Sequence, residues 1–425
     1  MKLRIDRIQT FSYTYPTGGH FKFFEQPRGR AAGRPTVIVK ITAENGTVGW
    51  GQCVPSPRWS YETLETCLTT IETYLAPELI GRDPFDANEL QAAMNRVIAP
   101  SFSTGQPIAK AGVDLALFDL TGRMLGQAAA ERWGRRGRDR ISLSWTINVT
   151  SLDEVPEQVE AARQRGYRSF NVKVANQIGS LSPPAEKVGV RRQAVDGGTG
   201  VPPVKTGETP VPRFLTPDLS PPAGARGDVD LAFDLELCRL VRQLAPDDFV
   251  WADANGGYDD TAAREVAPKL ADIGFAALEQ PLPANRLTGY RRLKQQGALP
   301  IVMDEGIVSR TDLEEFLQLG LLDGVAMKVA RCGGLTEAVR ILKLIEDAGL
   351  LWLGSGLTDH DVSLAATLLL YGAFDLGSPA ALNGPQFLNT SILRQPFVVE
   401  DGSLRVPTGP GLGVNVDQVL IAPRL

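Results

Sequence analysis

The sequence contains only two histidines, His20 and His360, and four cysteines without the paired spacing of a zinc site or a disulfide framework. It also lacks a run of about 20 apolar residues, which a membrane-spanning helix requires. The first residues include charges where a signal peptide needs an apolar segment. These absences predict a cytoplasmic protein whose chemistry depends mainly on carboxylates and lysines.

Positive charge is also scarce, because 44 basic residues are outnumbered by 49 acidic ones and the net charge is −5. A chain of this charge offers no basic field for nucleic acid or an anionic membrane, so we expect neither partner. The 425 residues can contain a (β/α)8 barrel, which needs about 250 residues, and a smaller domain.

Residues 1–130 have the pattern of an α+β domain. Asn45-Gly46 separates two apolar runs, 36–42 and 48–53, and predicts a β-hairpin. A strand at 2–10 precedes the hairpin, and the stretch 13–34, rich in Gly, Pro and aromatic residues, is predicted to be a loop. Helical periodicity follows at about 60–76, 86–98 and 107–125.

From residue 141 onward, short apolar strands alternate with amphipathic helices, which is typical of a parallel barrel. We predict that the barrel comprises residues 131–395, and that 396–425 forms a separate C-terminal tail. The eight predicted strands are 142–148, 169–174, 249–252, 276–278, 300–303, 324–329, 351–353 and 380–382.

Residues 177–227 interrupt this alternation. About one-third of them are Pro or Gly, against roughly 12% in an average protein. Such a segment buries too little apolar surface to offset its ordering entropy, so we predict a disordered insertion. It follows the C-terminal end of a strand, where barrel active sites lie, so a functional lid is the alternative to a neutral insertion.

Acidic and basic residues recur at the C-terminal ends of successive predicted strands. Asp253, Glu279, Asp304 and Lys328 are separated by 26, 25 and 24 residues, which is the length of one strand–helix repeat. Lys173 lies 80 residues before Asp253, and this interval approaches one repeat when the insertion of about 50 residues is removed. The spacing predicts that all five side chains lie on one rim of the barrel.

Three carboxylates on neighbouring strands predict a site for a hard cation, and Mg²⁺ fits because it prefers oxygen ligands. Lys173 and Lys328 on either side of this site are candidate acid–base residues. Burial and a nearby cation would favour the neutral form of each lysine by lowering its pKa. Asn255 and Glu305, which adjoin the predicted ligands, are either supporting residues or, in the case of Asn255, an ordinary turn residue.

At these positions the sequence resembles the enolase superfamily, in the branch of mandelate racemase and muconate lactonizing enzyme. Lys173 matches the second lysine of a Lys-x-Lys motif of this family. The other matching motifs are Asp253-Ala-Asn-Gly-Gly, Glu279-Gln-Pro, Asp304-Glu, Lys328 followed by Cys332-Gly-Gly, Gly49-Trp50-Gly51, Gly81-Arg-Asp-Pro and Pro407-Thr-Gly-Pro-Gly-Leu-Gly413.

The resemblance implies a modified (β/α)8 TIM barrel under an N-terminal α+β capping domain that the C-terminal tail completes. It implies Mg²⁺ on Asp253, Glu279 and Asp304, with Lys173 and Lys328 as the catalytic lysines. A lysine at 328 is similar to the muconate lactonizing type. Two capping loops would contact substrate, although ordinary loop packing is an equal alternative for their candidates His20, Phe21, Phe23, Phe24 and Trp59.

Three departures from the family pattern leave the substrate open. Asn171 replaces the first lysine of Lys-x-Lys, near the substrate carboxylate or the base. Asp359 or His360, after the seventh strand, is a candidate substrate contact, although helix capping is the favoured role of Asp359. Asn383 lies where dipeptide epimerases of the family have an Asp-x-Asp pair, so dipeptide epimerisation ranks low.

The expected activity is Mg²⁺-dependent removal of the proton α to a substrate carboxylate, through an enediolate intermediate. Racemisation or epimerisation ranks first, because two lysines could each serve one stereochemical face. Dehydration and cycloisomerisation start from the same intermediate and stay open, as does a non-catalytic ligand-binding paralogue. We expect a homo-oligomer that acts on a small-molecule carboxylate.

Overall fold

The computed structural model of the protein describes residues 3–18, 21, 33–57, 59–100, 104–135, 137–175 and 229–421. Met1–Ala175 and Leu231–Leu425 belong to one compact unit. The predicted insertion at 177–227 lies outside the described residues. None of the helices in the described part of the chain combines the length and the apolar character that crossing a bilayer requires.

The N-terminal strands form an antiparallel sheet in the order β1-β2-β3, with β1 at Ile5–Tyr15, β2 at Arg34–Ala43 and β3 at Val48–Cys53. The predicted hairpin at Asn45-Gly46 is confirmed. The predicted loop at 13–34 is wrong at both ends, because residues 13–15 pair with 34–36 as strand. Tyr15 is buried in this pairing, which explains why an aromatic stretch continues the sheet.

The helices beside this sheet are α1 Leu64–Thr69, α2 Ala76–Leu79, α3 Ala87–Val97 and α4 Pro107–Leu125, with a π-helical stretch at Thr70–Leu75 between α1 and α2. Helix α4 packs directly on β3. A Cβ atom on Gly51 would lie 1.9 Å from the carbonyl oxygen of Gly112. The Gly49-Trp50-Gly51 motif is therefore explained by the close approach of a strand to a helix backbone.

Eight parallel strands form the second sheet, and each lies beside the next along the chain. A parallel bridge between Leu143, which lies just before the first of these strands in the chain, and Ala380 of the last strand closes the barrel. The predicted eight-stranded barrel is confirmed. Its strands are β5 Trp145–Ile147, β6 Ser169–Lys173, β7 Phe249–Asp253, β8 Leu278–Glu279, β9 Ile301–Met303, β10 Gly324–Met327, β11 Leu351–Ser355 and β12 Ala380–Ala381.

Helices follow the first seven barrel strands, whereas the last strand is followed within the described residues by a helix of only four residues. The barrel is therefore a modified form of the regular eightfold repeat. The helices are α5 Val155–Gln164, α6 Leu231–Leu244, α7 Asp260–Ile273, α8 Leu287–Gln296, α9 Arg310–Gln318, α10 Leu335–Asp347, α11 Asp361–Ala373 and α12 Gly384–Phe387, with 3₁₀ turns at Ala129–Trp133, Leu152–Glu154 and Val329–Arg331.

An apolar cluster occupies part of the barrel interior beneath the C-terminal ends of the strands. Its buried members are Trp251, Ala277, Val302, Ala326, Leu353 and Ala381. Side chains alternate along a strand, so residues two positions further on face the same interior at the rim. The side chains of Asp253 and Glu279 therefore point into the barrel, above those of Trp251 and Ala277.

The C-terminal segment returns to the N-terminal part of the chain. Its strand β13, Ser403–Arg405, pairs with β4, Arg140–Ser142, and it ends in α13, Gln418–Ile421. The buried carboxylate of Asp119 on α4 accepts hydrogen bonds from the backbone N–H of Trp50 at 2.9 Å and of Leu412 at 2.8 Å. One carboxylate thus ties a strand of the N-terminal sheet, a helix and the tail together.

Candidate active site

The candidate site lies where five neighbouring barrel strands end. Lys173 is opposite Asp253, and Asp253 is opposite Glu279, in the register of β6, β7 and β8. Asp304 and Lys328 directly follow β9 and β10. The carboxyl ends of parallel strands meet at one edge, so the structure brings together the five residues that the sequence spacing singles out.

The three acids form a compact group of oxygen donors. One carboxylate oxygen from each of Asp253, Glu279 and Asp304 lies within 4.8 Å of the others. Burial first, and then the charges of Asp253 and Asp304, raise the pKa of Glu279 well above its ordinary value. Buried carboxylates so close together repel one another unless a cation lies between them, and an all-oxygen donor set suits a hard divalent cation. The residues therefore fit a metal of the magnesium type.

Neighbouring groups hold each acid in place. The indole N–H of Trp251 donates to Glu279 at 2.6 Å. The backbone N–H of Asn255 donates to Asp253 at 2.9 Å, and its side-chain amide donates to the same carboxylate at 3.2 Å. Asn255 has a left-handed backbone, with φ of 46°, so it both forms the turn and supports the acid. Trp251 was not predicted, although its position two residues before Asp253 on one strand face could have indicated it.

The two lysines flank the acids in the strand order and are nearly inaccessible, with 4% of Lys173 and 2% of Lys328 exposed. The Lys173 ammonium donates to Asp253. The Lys328 ammonium donates to both oxygens of Asp304, at 2.7 and 2.8 Å, and to the hydroxyl of Ser355 at 2.6 Å. Each lysine is thus fixed against a different member of the acidic group.

The surrounding carboxylates determine the direction in which the pKa of Lys173 is shifted. Burial by itself lowers this pKa, but the carboxylates of Asp253, Glu279 and Asp304 outweigh burial and the net shift is upward. The protein's own groups therefore raise the pKa of Lys173, while the expected lowering, which includes a nearby cation, stays a prediction. A cation held by the same carboxylates would oppose the charges that cause the upward shift.

Arg331 is a buried cation of the site that sequence reasoning missed. Its guanidinium donates to the backbone oxygen and the carboxylate of Asp304. Burial raises the pKa of Asp304, but Arg331 and then Lys328 outweigh burial and lower the pKa to about 2. The 3₁₀ turn at Val329–Arg331 brings the arginine back to the strand end, and the Lys-x-x-Arg spacing after β10 was the available indication.

Trp59 connects the N-terminal part of the chain to the site. Its indole N–H donates to Glu305 at 2.7 Å, and the Lys328 ammonium lies 5.0 Å from the centroid of its ring. The Asn255 amide also donates to Glu305, at 3.0 Å. Burial first, then the charges of Asp304 and Asp253, raise the pKa of Glu305 to about 7. Trp59 and Glu305 thus line the site.

Buried Arg34, a third residue missed by sequence reasoning, fixes the segment that precedes Trp59. Its guanidinium donates to the carbonyl of Val54 at 3.0 Å and to the carbonyl of Leu357, after β11, at 2.7 Å. Burial lowers the pKa of Arg34 to about 10, although Asp359 opposes this shift. The arginine therefore joins the 54–59 segment to the rim of the barrel.

The remaining predicted substrate contacts have different outcomes. Phe21 is fully buried, stacks on Phe387 and lies edge-on to Trp59, so its contact with substrate stays a prediction. His20, Phe23 and Phe24 lie outside the described residues. The helix-capping role favoured for Asp359 is wrong, because His360 is the N-cap residue of α11 and makes no side-chain cap bond.

Asp359 instead accepts from the backbone N–H of Leu357 at 3.1 Å. Burial raises the pKa of Asp359 to about 6, against the opposing charge of Arg34. Asn171 lies on β6 two residues before Lys173 and is fully buried. Its side chain therefore faces the same barrel interior as Lys173.

Comparison with known proteins covers almost the whole chain. Residues 154–420 match the family model "Enolase C-terminal domain-like", and residues 25–134 match "Mandelate racemase / muconate lactonizing enzyme, N-terminal domain". Chloromuconate cycloisomerase CbnB of Cupriavidus necator is 29% identical over 90% of this chain and 89% of its own length. N-succinyl-L-Arg/Lys racemase of Bacillus cereus is 23% identical over 92% of this chain and 90% of its own length.

Among solved structures, 2-chloromuconate cycloisomerase from Rhodococcus opacus 1CP superposes with a TM-score of 0.78 at 25% sequence identity. The superposition covers 99% of this chain and 98% of that one. The likeness therefore includes both the N-terminal sheet and the barrel.

Proposed function

The chain belongs to the enolase superfamily of enzymes, in the branch of mandelate racemase and muconate lactonizing enzyme, and we propose that it transfers a proton at the carbon α to a substrate carboxylate. One observation carries the proposal. Two buried lysines, Lys173 and Lys328, flank three buried carboxylates and each contacts a different one. A pair of proton-carrying groups beside a cation site suits the formation of an enediolate.

Mg²⁺ is the proposed cofactor, held by Asp253, Glu279 and Asp304. When bound, it supplies positive charge that stabilises the negative charge developing on the substrate carboxylate. Trp251 and Asn255 keep the acidic side chains in position through the hydrogen bonds that they donate. The protein's contribution is thus a donor set whose geometry is held before substrate binds.

Lys173 and Lys328 hold and move the substrate proton in this proposal. The lysine that removes the α-proton acts in its neutral form, and the other delivers a proton from its ammonium. Ser355 and Asp304 fix the Lys328 ammonium from one side, and the ring of Trp59 covers it. These contacts orient the proton and keep bulk water from the lysine.

The similarity to chloromuconate cycloisomerase, at higher identity than to the racemase, favours cycloisomerisation within this chemistry. This reverses the ranking from sequence, which placed racemisation first. Racemisation is the second candidate because Lys173 and Lys328 lie at opposite ends of the row of acids, β6 and β10 in the strand order.

We further propose that residues 1–130 and the tail 396–425 form a capping domain over the barrel of residues 131–395. The hydrogen bonds of Asp119 to the backbone of Trp50 and Leu412 support this division. The position of Trp59 beside Glu305 makes the capping domain part of the site.

The test is α-proton exchange, followed by NMR in D₂O with Mg²⁺ across a panel of sugar acids, dicarboxylates and acylated amino acids. We expect exchange or conversion of at least one acid by the wild type, and suppression by about 10²-fold or more in Lys173→Ala and Lys328→Ala. Lys269→Ala is the matched control, because Lys269 pairs with Glu265 on the outer helix α7. Undiminished exchange in both site variants would refute the proposal.

The same experiment separates the two candidate reactions. A cycloisomerase forms a cyclic isomer with solvent deuterium at one carbon. A racemase inverts the α-carbon, and each single lysine variant then retains exchange with one enantiomer only.

A further inference from the structure

Asn171 presents a fully buried amide to the interior of the barrel. It lies opposite Thr146 on β5 and Trp251 on β7. Neither its Nδ2 nor its Oδ1 atom has a hydrogen-bond partner among the described residues. A buried amide normally satisfies both its donor and its acceptor, so one left without either indicates a place for another molecule.

A second buried amide lies on the other side of Thr146. Asn383 follows β12, is only 4% exposed, and donates to the Thr146 hydroxyl over a long 3.4 Å. Its Oδ1 atom also has no partner in the described part of the chain. Because β12, β5 and β6 are neighbours around the barrel, Asn171, Thr146 and Asn383 form one polar surface, which we call the amide patch.

The amide patch differs in charge from the rest of the rim. The cations Lys173, Lys328 and Arg331 are all hydrogen-bonded to carboxylates of the acidic group. The patch itself contributes amide and hydroxyl groups, which offer donors and acceptors but no charge. The patch itself supplies no charge to pair with an ionised group, whereas a hydroxyl or carboxamide could both donate to it and accept from it.

We propose that the amide patch is a substrate subsite for an uncharged hydroxyl or carboxamide group, which makes Asn171 a specificity-determining residue. This inference rests on the proposed function, in which the α-carboxylate of the substrate lies at the acidic group. The substrate then carries a carboxylate at one end and a neutral hydrogen-bonding group further along its chain. A lysine in place of Asn171 would select an anionic group instead.

The test uses shape-matched acids that differ only in the distal group. Glutaramate, glutarate and 5-methylhexanoate end in a carboxamide, a carboxylate and an isopropyl group; succinamate, succinate and 4-methylpentanoate form the shorter series. Each acid is titrated calorimetrically into the full chain in the presence of Mg²⁺. At one of the two lengths, the dissociation constant of the amide should be at least about tenfold lower than those of the other two acids.

The variants separate a subsite from an ordinary core residue. Asn171→Leu keeps the branched shape and the number of side-chain heavy atoms, and should bind the amide and the alkyl acid equally, while Asn171→Lys should prefer the dicarboxylate. Thermal melting reports whether each variant folds. If either change at 171 prevents folding, Asn383→Leu takes its place in the test and should reduce the preference for the amide. Equal affinities for all three acids in the wild type, no binding of any, or a preference retained in Asn171→Leu would overturn the inference.

Failure of the inference and failure of the proposed function give different results. If the wild type exchanges α-protons but has no preference for the amides, only the subsite is wrong. If the preference for amides is present and depends on Mg²⁺, but no acid exchanges, the subsite stands and the proton-transfer chemistry is wrong.

Discussion

Lys173 and Asp253 lie opposite each other on β6 and β7, and the lysine ammonium donates a hydrogen bond to the aspartate carboxylate. Both side chains are almost completely buried. The pair joins a candidate proton carrier to a candidate metal ligand, so the charge at one of these positions affects the other.

Replacing Lys173 with alanine should destabilise the protein most when the metal is removed. The change leaves Asp253 without its buried cation, and breaking a buried ion pair costs about 3–5 kcal/mol. Mg²⁺ would return positive charge to Asp253 in the variant, whereas in the wild type it shares this carboxylate with the Lys173 ammonium, so it should stabilise the variant more than the control. We expect the melting temperature of Lys173→Ala to fall well below that of Lys269→Ala in a chelator, and much less so with Mg²⁺. Equal losses under both conditions would contradict a metal at Asp253.

Glu279→Gln should raise the stability of the metal-free protein at neutral pH. The pKa of Glu279 is raised in the folded state, chiefly by burial. The stabilising contribution of this group is therefore present below its unfolded pKa of about 4.5 and is lost as the pH rises through the folded value. Glutamine at position 279 does not ionise, so this stability is not lost as the pH rises. Its amide oxygen can still accept the hydrogen bond from the Trp251 indole.

Melting in a chelator at pH 7.5 should therefore place Glu279→Gln above the wild type. Addition of Mg²⁺ should raise the melting temperature of the wild type only. A Mg²⁺-dependent increase of the same size in the variant would show that Glu279 does not bind the metal.

The hydrogen bond between Trp59 and Glu305 should matter for substrate binding more than for folding. Trp59→Phe keeps an aromatic ring over Lys328 but loses the 2.7 Å hydrogen bond to Glu305. The buried carboxylate of Glu305 is then less well satisfied, which costs about 1–3 kcal/mol of free energy. We expect a higher KM with a largely retained kcat and fold. Trp352→Phe is the matched control, since the Trp352 indole N–H has no partner among the described residues. An unchanged KM would exclude Trp59 from the substrate site.

The barrel and its five rim residues were predictable because both depend on local, repeated features. Each strand is a short apolar run, and the intervals between Asp253, Glu279, Asp304 and Lys328 equal one repeat. Parallel topology then places every strand end on the same rim. The end of β1 was missed because Tyr13 and Tyr15 become strand only through pairing with β2, which a local pattern does not reveal.

The supporting residues of the site could not be predicted in the same way. Arg331 reaches Asp304 only because a 3₁₀ turn reverses the chain after β10. Arg34 binds Val54 and Leu357, which are far apart in sequence. Such contacts depend on tertiary packing. The unpartnered atoms of Asn171 are likewise visible only once all neighbouring side chains are in place.

Glu62 provides a test of buried charge away from the metal site. Its fully buried carboxylate accepts from the backbone N–H groups of Ile108 and Ala109, at 2.7 and 2.9 Å, in the first turn of α4. Burial raises its pKa to about 7, although these two hydrogen bonds oppose the shift. The group is therefore neutral in the folded protein under mildly acidic conditions and charged above pH 7.

Because the folded pKa lies above the unfolded value of about 4.5, the contribution of Glu62 to stability is complete below pH 4.5 and is lost as the pH rises through about 7. The difference corresponds to about 3 kcal/mol. Glu62→Gln carries no ionisable group, so its free energy of unfolding should fall less between pH 5 and pH 8 than that of the wild type. Denaturant titrations across this range measure the difference, with exposed Glu157→Gln on α5 as the control. Parallel pH profiles for wild type and Glu62→Gln would mean that the two backbone hydrogen bonds keep Glu62 ionised throughout.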